Sequence, residues 1–233
     1  MIPQWLSENL LTVSGRIRPI GIDYAFLGGC IVPLLLDDPD VVPIRPTNDV
    51  DVVVMLIGQR QMASIESRLR EEGFEHAAYP GAPMCRWDLR GITVDVMPDR
   101  EAEYMGLNTK WFSEALQSAT LHRIPGGEVP VISAATFVAT KLVAFSDRGK
   151  GDFCHRDMED VISIVDGRAS LNNDLGSSSP ELRAYVSAEL KRYLAIPSFV
   201  DQLPGHLSSD PASQGRLPLL LERLRMIANL ASP

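Results

Sequence analysis

Cysteine is scarce in this chain: Cys30, Cys85 and Cys154 stand far apart and form no Cys-x-x-Cys pair. An odd, sparse set excludes a disulfide scaffold and fits a reducing cytoplasm. The four histidines, His76, His122, His155 and His206, have no zinc-ligand spacing. Positive charge is short as well, with 22 Lys and Arg against 30 Asp and Glu and a net charge of −8. That excludes a protein that coats nucleic acid non-specifically, because such a protein needs a basic surface to neutralise phosphates. A local basic groove stays open. Met1-Ile2-Pro3-Gln4-Trp5-Leu6 lacks a basic region followed by an apolar core, so no signal peptide is expected. The longest apolar stretch, about Tyr24 to Leu36, contains Gly28, Gly29 and Pro33 and is too short to span a bilayer. The expectation is a soluble cytoplasmic protein with no membrane association.

The chain of 233 residues, 45% hydrophobic and 22% charged, is long enough for one large domain or two small ones. Apolar spacing predicts a weak helix over Gln4 to Val13, ending near Ser14-Gly15. Tyr24 to Leu27 reads as a short strand, Cys30 to Leu36 as a buried helix and Val50 to Leu56 as a strand. A helix is expected over Gln59 to Glu72, stopped by Gly73. Cys85 to Leu89 and Ile92 to Met97 form a strand pair split by an Arg90-Gly91 turn, and a hairpin follows around Ile124 to Val129. Beyond Ser133 the pattern becomes helical, over Ala134 to Asp147, His155 to Val165, from Pro180 behind a serine cap, and Leu217 to Leu230. The fold class expected is α+β: a mixed sheet with flanking helices over residues 1–132, followed by an α-helical half over residues 133–233.

Four features carry chemistry. Gly28-Gly29 lies between a strand and a helix start, where glycine lets backbone N–H groups approach an anion. A tight turn would look the same. Asp49 and Asp51 open an apolar β-branched run and, two residues apart in a strand, share a face. That suits a divalent cation, although Asp-x-Asp is also common in turns. Asp95 sits within Ile92-Thr93-Val94-Asp95-Val96-Met97, where an acid is costly to bury unless it is paired or bound to a metal. An edge-strand acid facing water is the plain alternative. Lys141 and Arg148 lie seven apart on one helix face, with Lys150 after the turn, and Asp157 and Asp160 lie near the inward face of the next helix. Taken singly, each of these is what a solvated helix face presents.

Taken together, Gly28-Gly29, Arg45-x-Thr47-x-Asp49-Val50-Asp51 and a strand-borne Asp95 resemble the polymerase-β-type nucleotidyltransferase superfamily. Within it, Lys141-Leu142-Val143-Ala144, Asp147-Arg148-Gly149-Lys150 and Arg156-Asp157-Met158-Glu159-Asp160-Val161 are similar to the AbiEii-type minimal nucleotidyltransferase toxins. The resemblance implies Mg²⁺-dependent transfer of a nucleoside monophosphate from an NTP to an acceptor hydroxyl. Asp49, Asp51 and Asp95 would hold two metals, and Asp95 would help deprotonate the acceptor. Gly28 and Gly29 would cradle the triphosphate and Lys141 would reach it, with Thr47 beside the metals. Arg45, Arg148, Lys150, Asp157 and Asp160 would complete the nucleotide site, which makes the helical half part of it. A toxin of this kind would act on tRNA or protein and have a cognate antitoxin. The alternatives are a small-molecule, aminoglycoside-type transferase, whose acidic cleft attracts a cationic acceptor, and a nucleotide-binding module without turnover. A glycosyltransferase with an Asp-x-Asp motif gives no reason for Gly28-Gly29 or for the Lys141 helix. Two departures stand out: Gly-Gly replaces the commoner Gly-Ser, and Gly151 to His155 lengthens the gap before Arg156, leaving Asp157 and Asp160 both open to the acidic role.

Overall fold

The computed structural model describes residues 2–37, 42, 47, 49–56 and 61–231. They form two compact units, Ile2–Ile31 with Pro46–Ser133, and Val32–Arg45 with Ala134–Pro233.

The first unit is built on a seven-stranded mixed sheet of order β3-β4-β5-β2-β1-β7-β6. Its strands are β1 (Tyr24–Leu27), β2 (Asp49–Val54), β3 (Glu75–His76), β4 (Arg86–Leu89), β5 (Ile92–Pro98), β6 (Thr120–Ile124) and β7 (Gly127–Val131). The central pair β2 and β5 runs parallel, as do β1 and β7, and the remaining neighbours are antiparallel. Alternation gives the sheet two different faces. Phe26, Val50, Val52, Val54, Trp87, Leu89, Val94, Val96 and Val131 fall on one of them by register, all buried. Asp49, Asp51, Arg86, Asp88, Thr93 and Asp95 fall on the other.

Helices supply the rest of this core. In α1 (Gln4–Ile17), Leu6, Leu10, Val13 and Ile17 form a buried stripe at helical spacing. The helix runs through the expected stop at Ser14-Gly15. Burying Ile17 outweighs the cost of a helical glycine, about 1 kcal/mol, and the Ser14 hydroxyl shares a 2.7 Å hydrogen bond with that of Tyr24. In α3 (Gln61–Glu71), Met62, Ile65 and Leu69 are buried, and Gly73 follows at φ +90°. A short helix over Phe112–Gln117 (α4), unmarked by sequence periodicity, is tied to the sheet through Asp99. That buried carboxylate accepts hydrogen bonds from Leu56 N at 2.8 Å and Ser113 Oγ at 2.7 Å.

The second unit is helical. It takes in α2 (Val32–Leu35), shorter than the Cys30 to Leu36 helix expected because the chain first makes a 3₁₀ turn over Gly29–Ile31. Its principal helices are α5 (Ala134–Arg148), α6 (Arg156–Gly167), α8 (Pro180–Leu194) and α11 (Leu217–Ala228), with α7 (Leu171–Gly176), α9 (Pro197–Gln202) and α10 (Pro211–Gln214) between them. Ser179 caps α8 by accepting from Leu182 N, with Pro180 in the first turn. His155 caps α6 by accepting from Asp157 N. Residues Ala134 to Val143 of α5 are all buried, so α5 is the central rod. Gly167 permits a close approach, since a Cβ there would meet Leu36 Cδ2 at 2.6 Å and Val42 Cγ2 at 2.7 Å. An aromatic cluster of Phe145, Phe153, Tyr193 and Phe199 has ring centroids 5.1 to 5.8 Å apart. No helix among the described residues is long and apolar enough to cross a membrane.

Lys141, Asp157 and Asp160 are buried inside this helical unit, with Arg148 at its surface. Asp157 accepts from Arg148 Nε at 2.6 Å, Arg148 Nη2 at 2.8 Å and Lys141 Nζ at 3.1 Å, and Lys141 also lies 2.6 Å from Asp160. Burial alone would raise the Asp157 carboxyl, but the Arg148 hydrogen bonds and the Lys141 charge bring it from 3.8 down to about 2. A folded value below the unfolded one contributes stability above pH 3.8 that is lost as pH falls towards 2. Replacing Asp157 by Asn is therefore expected to cost about 3 kcal/mol at neutral pH, the scale of a broken buried ion pair. It should also flatten the acid dependence of unfolding below pH 4 followed by circular dichroism. Equal acid sensitivity in both proteins would refute this assignment.

Candidate active site

The polar face of the sheet is assembled by register. In the parallel pair, Asp51 stands opposite Asp95, so the two side chains leave the same face on neighbouring strands. Asp49 lies two residues before Asp51 in β2 and shares that face. The β1 strand brings Leu27 opposite Asp51, and the next residue, Gly28, turns away at φ +76°. A Cβ on Gly28 would sit 1.8 Å from Asp51 Oδ2, so only a bare backbone fits against this carboxylate. Gly29 opens the 3₁₀ turn that follows. Thr47 donates from Oγ1 to Asp49 Oδ1 at 2.7 Å. Arg45 lies outside the described residues.

A cation not expected from the motifs completes the group. Arg86 is the register partner of Asp95 in the antiparallel β4–β5 pair. Its Nε donates to Asp95 Oδ1 at 2.8 Å and its Nη2 to Asp95 Oδ2 at 2.7 Å, a two-pronged pair. The same Nη2 lies 3.5 Å from Asp49 Oδ2, and Nη1 lies 3.3 Å from the Tyr79 hydroxyl. The Asp95 hydrogen bonds hold the guanidinium charged, well above its usual range. Its signal was present in the sequence. With Arg90-Gly91 as a two-residue turn, counting back along the hairpin sets Leu89 against Ile92 and therefore Arg86 against Asp95.

The donor set consists of carboxylates and a hydroxyl, the hard oxygens that Mg²⁺ prefers. In donor type and shared face, Asp49, Asp51 and Asp95 fit such an ion. Among the described residues, no three His, Cys, Asp or Glu side chains converge as a ready cation site. Arg86 is what stands against Asp95 and Asp49. Cys85, the residue before Arg86, is buried beside this group. Burial first, then the charges of Asp95 and Asp51, pushes its thiol up to about 12, so it stays protonated at neutral pH.

The other expected site residues are in the helical unit. Lys141, Arg148, Asp157 and Asp160 are drawn together there as the ion cluster described above. Asp157 and Asp160 are both buried and both engaged with Lys141. Lys150 follows α5 in the turn, exposed, at φ +49°.

Solved structures share the fold of this chain. A crystal structure of an antigenic nucleotidyltransferase-like protein from Paracoccidioides brasiliensis superposes with a TM-score of 0.51 at 19% identity, over 89% of this chain and 95% of that one. The fold is nucleotidyltransferase-like. A second match is the solution structure of the antibiotic-resistance factor ANT(2'')-Ia, with a TM-score of 0.50 at 14% identity over 84% of this chain and 96% of that one. No protein-family model and no curated protein sequence matches the chain.

Gly28 tests how tightly this turn is packed against Asp51. Ala at Gly91 (φ +86°) meets open space, whereas Ala at Gly28 meets Asp51. Gly91→Ala should cost about 1 kcal/mol in backbone strain, and Gly28→Ala at least ~1 kcal/mol more, read as a lower midpoint in thermal unfolding. Equal losses would mean that Gly28 is not pressed against Asp51.

Proposed function

We propose that this protein is a Mg²⁺-dependent nucleotidyltransferase that moves a nucleoside monophosphate from an NTP to an acceptor hydroxyl. The observation that carries the reading is the close contact of the Gly28 backbone with Asp51, itself in register with Asp95, on a sheet of nucleotidyltransferase-like fold. Asp49 and Asp51 are the cation ligands, with Thr47 fixing Asp49 through its hydroxyl. The Gly28-Gly29 turn is where main-chain N–H groups can approach the phosphates, because no side chain fits at Gly28. Bound Mg²⁺ supplies charge neutralisation on the triphosphate. Asp95 is the base: it takes the acceptor hydroxyl proton as that oxygen bonds to the α-phosphorus and the bond to pyrophosphate breaks.

For the acceptor, a small cationic molecule is favoured over tRNA. A chain of net charge −8 concentrates cations and repels a polyanion. One of the solved structures with a similar fold is described as an antibiotic-resistance factor. The toxin reading rests on the resemblance of the Lys141 to Ala144 and Arg156 to Val161 segments to AbiEii-type proteins. In it, Lys141, Arg148, Lys150, Asp157 and Asp160 serve the nucleotide.

The two are separated by incubating the protein with Mg²⁺ and labelled ATP, CTP, GTP or UTP against aminoglycosides, total tRNA and protein. Label on an aminoglycoside is the expected result, and label on tRNA or protein supports the toxin reading. No transfer from any nucleotide to any acceptor would sink the enzyme assignment. Asp51→Asn should reduce transfer by at least about a hundredfold, the scale of losing one electrostatic stabiliser, while the protein keeps its fold. Full activity in that variant would show that the metal ligands lie elsewhere.

A further inference from the structure

We infer that Arg86 is a latch on Asp95, a positioning residue that keeps the third carboxylate from a divalent cation until the guanidinium moves off it. This rests on the reading of Asp49 and Asp51 as cation ligands. Both Asp95 oxygens are taken by the Arg86 fork, at 2.8 and 2.7 Å. A Mg²⁺ ligated by the same carboxylate would sit about 2 Å from one of those oxygens, within a few ångströms of the guanidinium. At that separation two cations repel strongly in a partly buried setting, so they do not share Asp95. Arg86 also reaches towards Asp49, at 3.5 Å, and so lies between the β5 carboxylate and the β2 pair.

The latch has somewhere to go. Nη1 is already 3.3 Å from the Tyr79 hydroxyl, and Tyr79 is itself exposed. A swing towards that side keeps one hydrogen bond while it frees Asp95. The Arg86 side chain retains 24% of its exposure, so leaving Asp95 returns it to water without opening a cavity. Cation binding then has an order. The first ion takes Asp49 and Asp51, and Asp95 becomes a ligand, or a free base, only after Arg86 has moved.

The test is Mn²⁺ binding to the full chain, followed by the paramagnetic signal of free Mn²⁺ and by calorimetry, with no substrate present. Arg86→Met keeps the length of the side chain and removes the charge. It should tighten Mn²⁺ binding, or add a second ion, by at least about tenfold, the scale on which partners of metal ligands act. The double variant Arg86→Met with Asp95→Asn should lose that gain. Arg86→Lys, which keeps a charge but cannot fork, should show a smaller gain and serves if the Met variant does not fold. Unchanged or weaker binding in folded Arg86 variants overturns the latch, as does a gain that survives loss of Asp95. Mn²⁺ binding that is absent from every variant, or indifferent to Asp49→Asn and Asp51→Asn, overturns the metal reading itself and the latch with it.

Discussion

Three of the carboxylates on the polar face of the sheet, Asp49, Asp51 and Asp95, stand close enough to repel one another, and everything near the candidate site answers to that constraint. The parallel β2–β5 register makes Asp51 and Asp95 direct neighbours, and the strand period adds Asp49. Such a face is stable only with positive charge or hydrogen-bond donors brought to it. Arg86 supplies both to Asp95, Thr47 supplies a donor to Asp49, and the missing side chain at Gly28 leaves the backbone in contact with Asp51. The opposite face explains how the strain is carried. Val50, Val52, Val54, Val94 and Val96 are buried to the point of near-zero exposure. Slipping β2 by one residue to separate the acids would drive those valines to the polar side, so the core locks the acids in place.

Much of this was legible in the sequence. Alternation in Asp49 to Val54 gives the face of each acid, and the Arg90-Gly91 turn places β4 beside β5. What single-strand patterns do not contain is which strands lie side by side. The parallel β2–β5 pair has α3 and two further strands between its members along the chain, so no turn fixes its register. Only the fold makes Asp95 the neighbour of Asp51. Arg86 belongs to no motif for a related reason: a motif lists residue types at set spacings, whereas a counter-ion is chosen by geometry across strands.

Elsewhere, local signals lost to packing. Ser14-Gly15 has the composition of a helix end, but Ile17 continues the buried stripe and α1 continues with it. The stretch after Gly28 reads as one apolar helix, yet the 3₁₀ turn belongs to the sheet unit and Val32 onward to the helical one. Hydrophobicity states that these residues are buried; it does not state in which core.

The ion cluster of α5 and α6 and the one on the sheet make a useful contrast, because similar side chains differ in exposure. In the helical unit, Asp157 has no exposed side-chain surface and Lys141 retains 10%, and the acid is held from two directions by Lys141 and Arg148. Removing Lys141 there leaves Asp157, which has no exposed side-chain surface, with only the half-exposed Arg148 as its cation. On the sheet, the Asp95 side chain retains 12% exposure, Arg86 24% and Asp49 30%. Partners at that level of exposure can be exchanged for water or for an ion at modest cost, since solvent screens the charges as they part. Exchangeability is what a cation site requires and what a structural salt bridge avoids. That difference in exposure, more than the number of acids, is the physical ground for proposing the carboxylates of β2 and β5 as the exchangeable group.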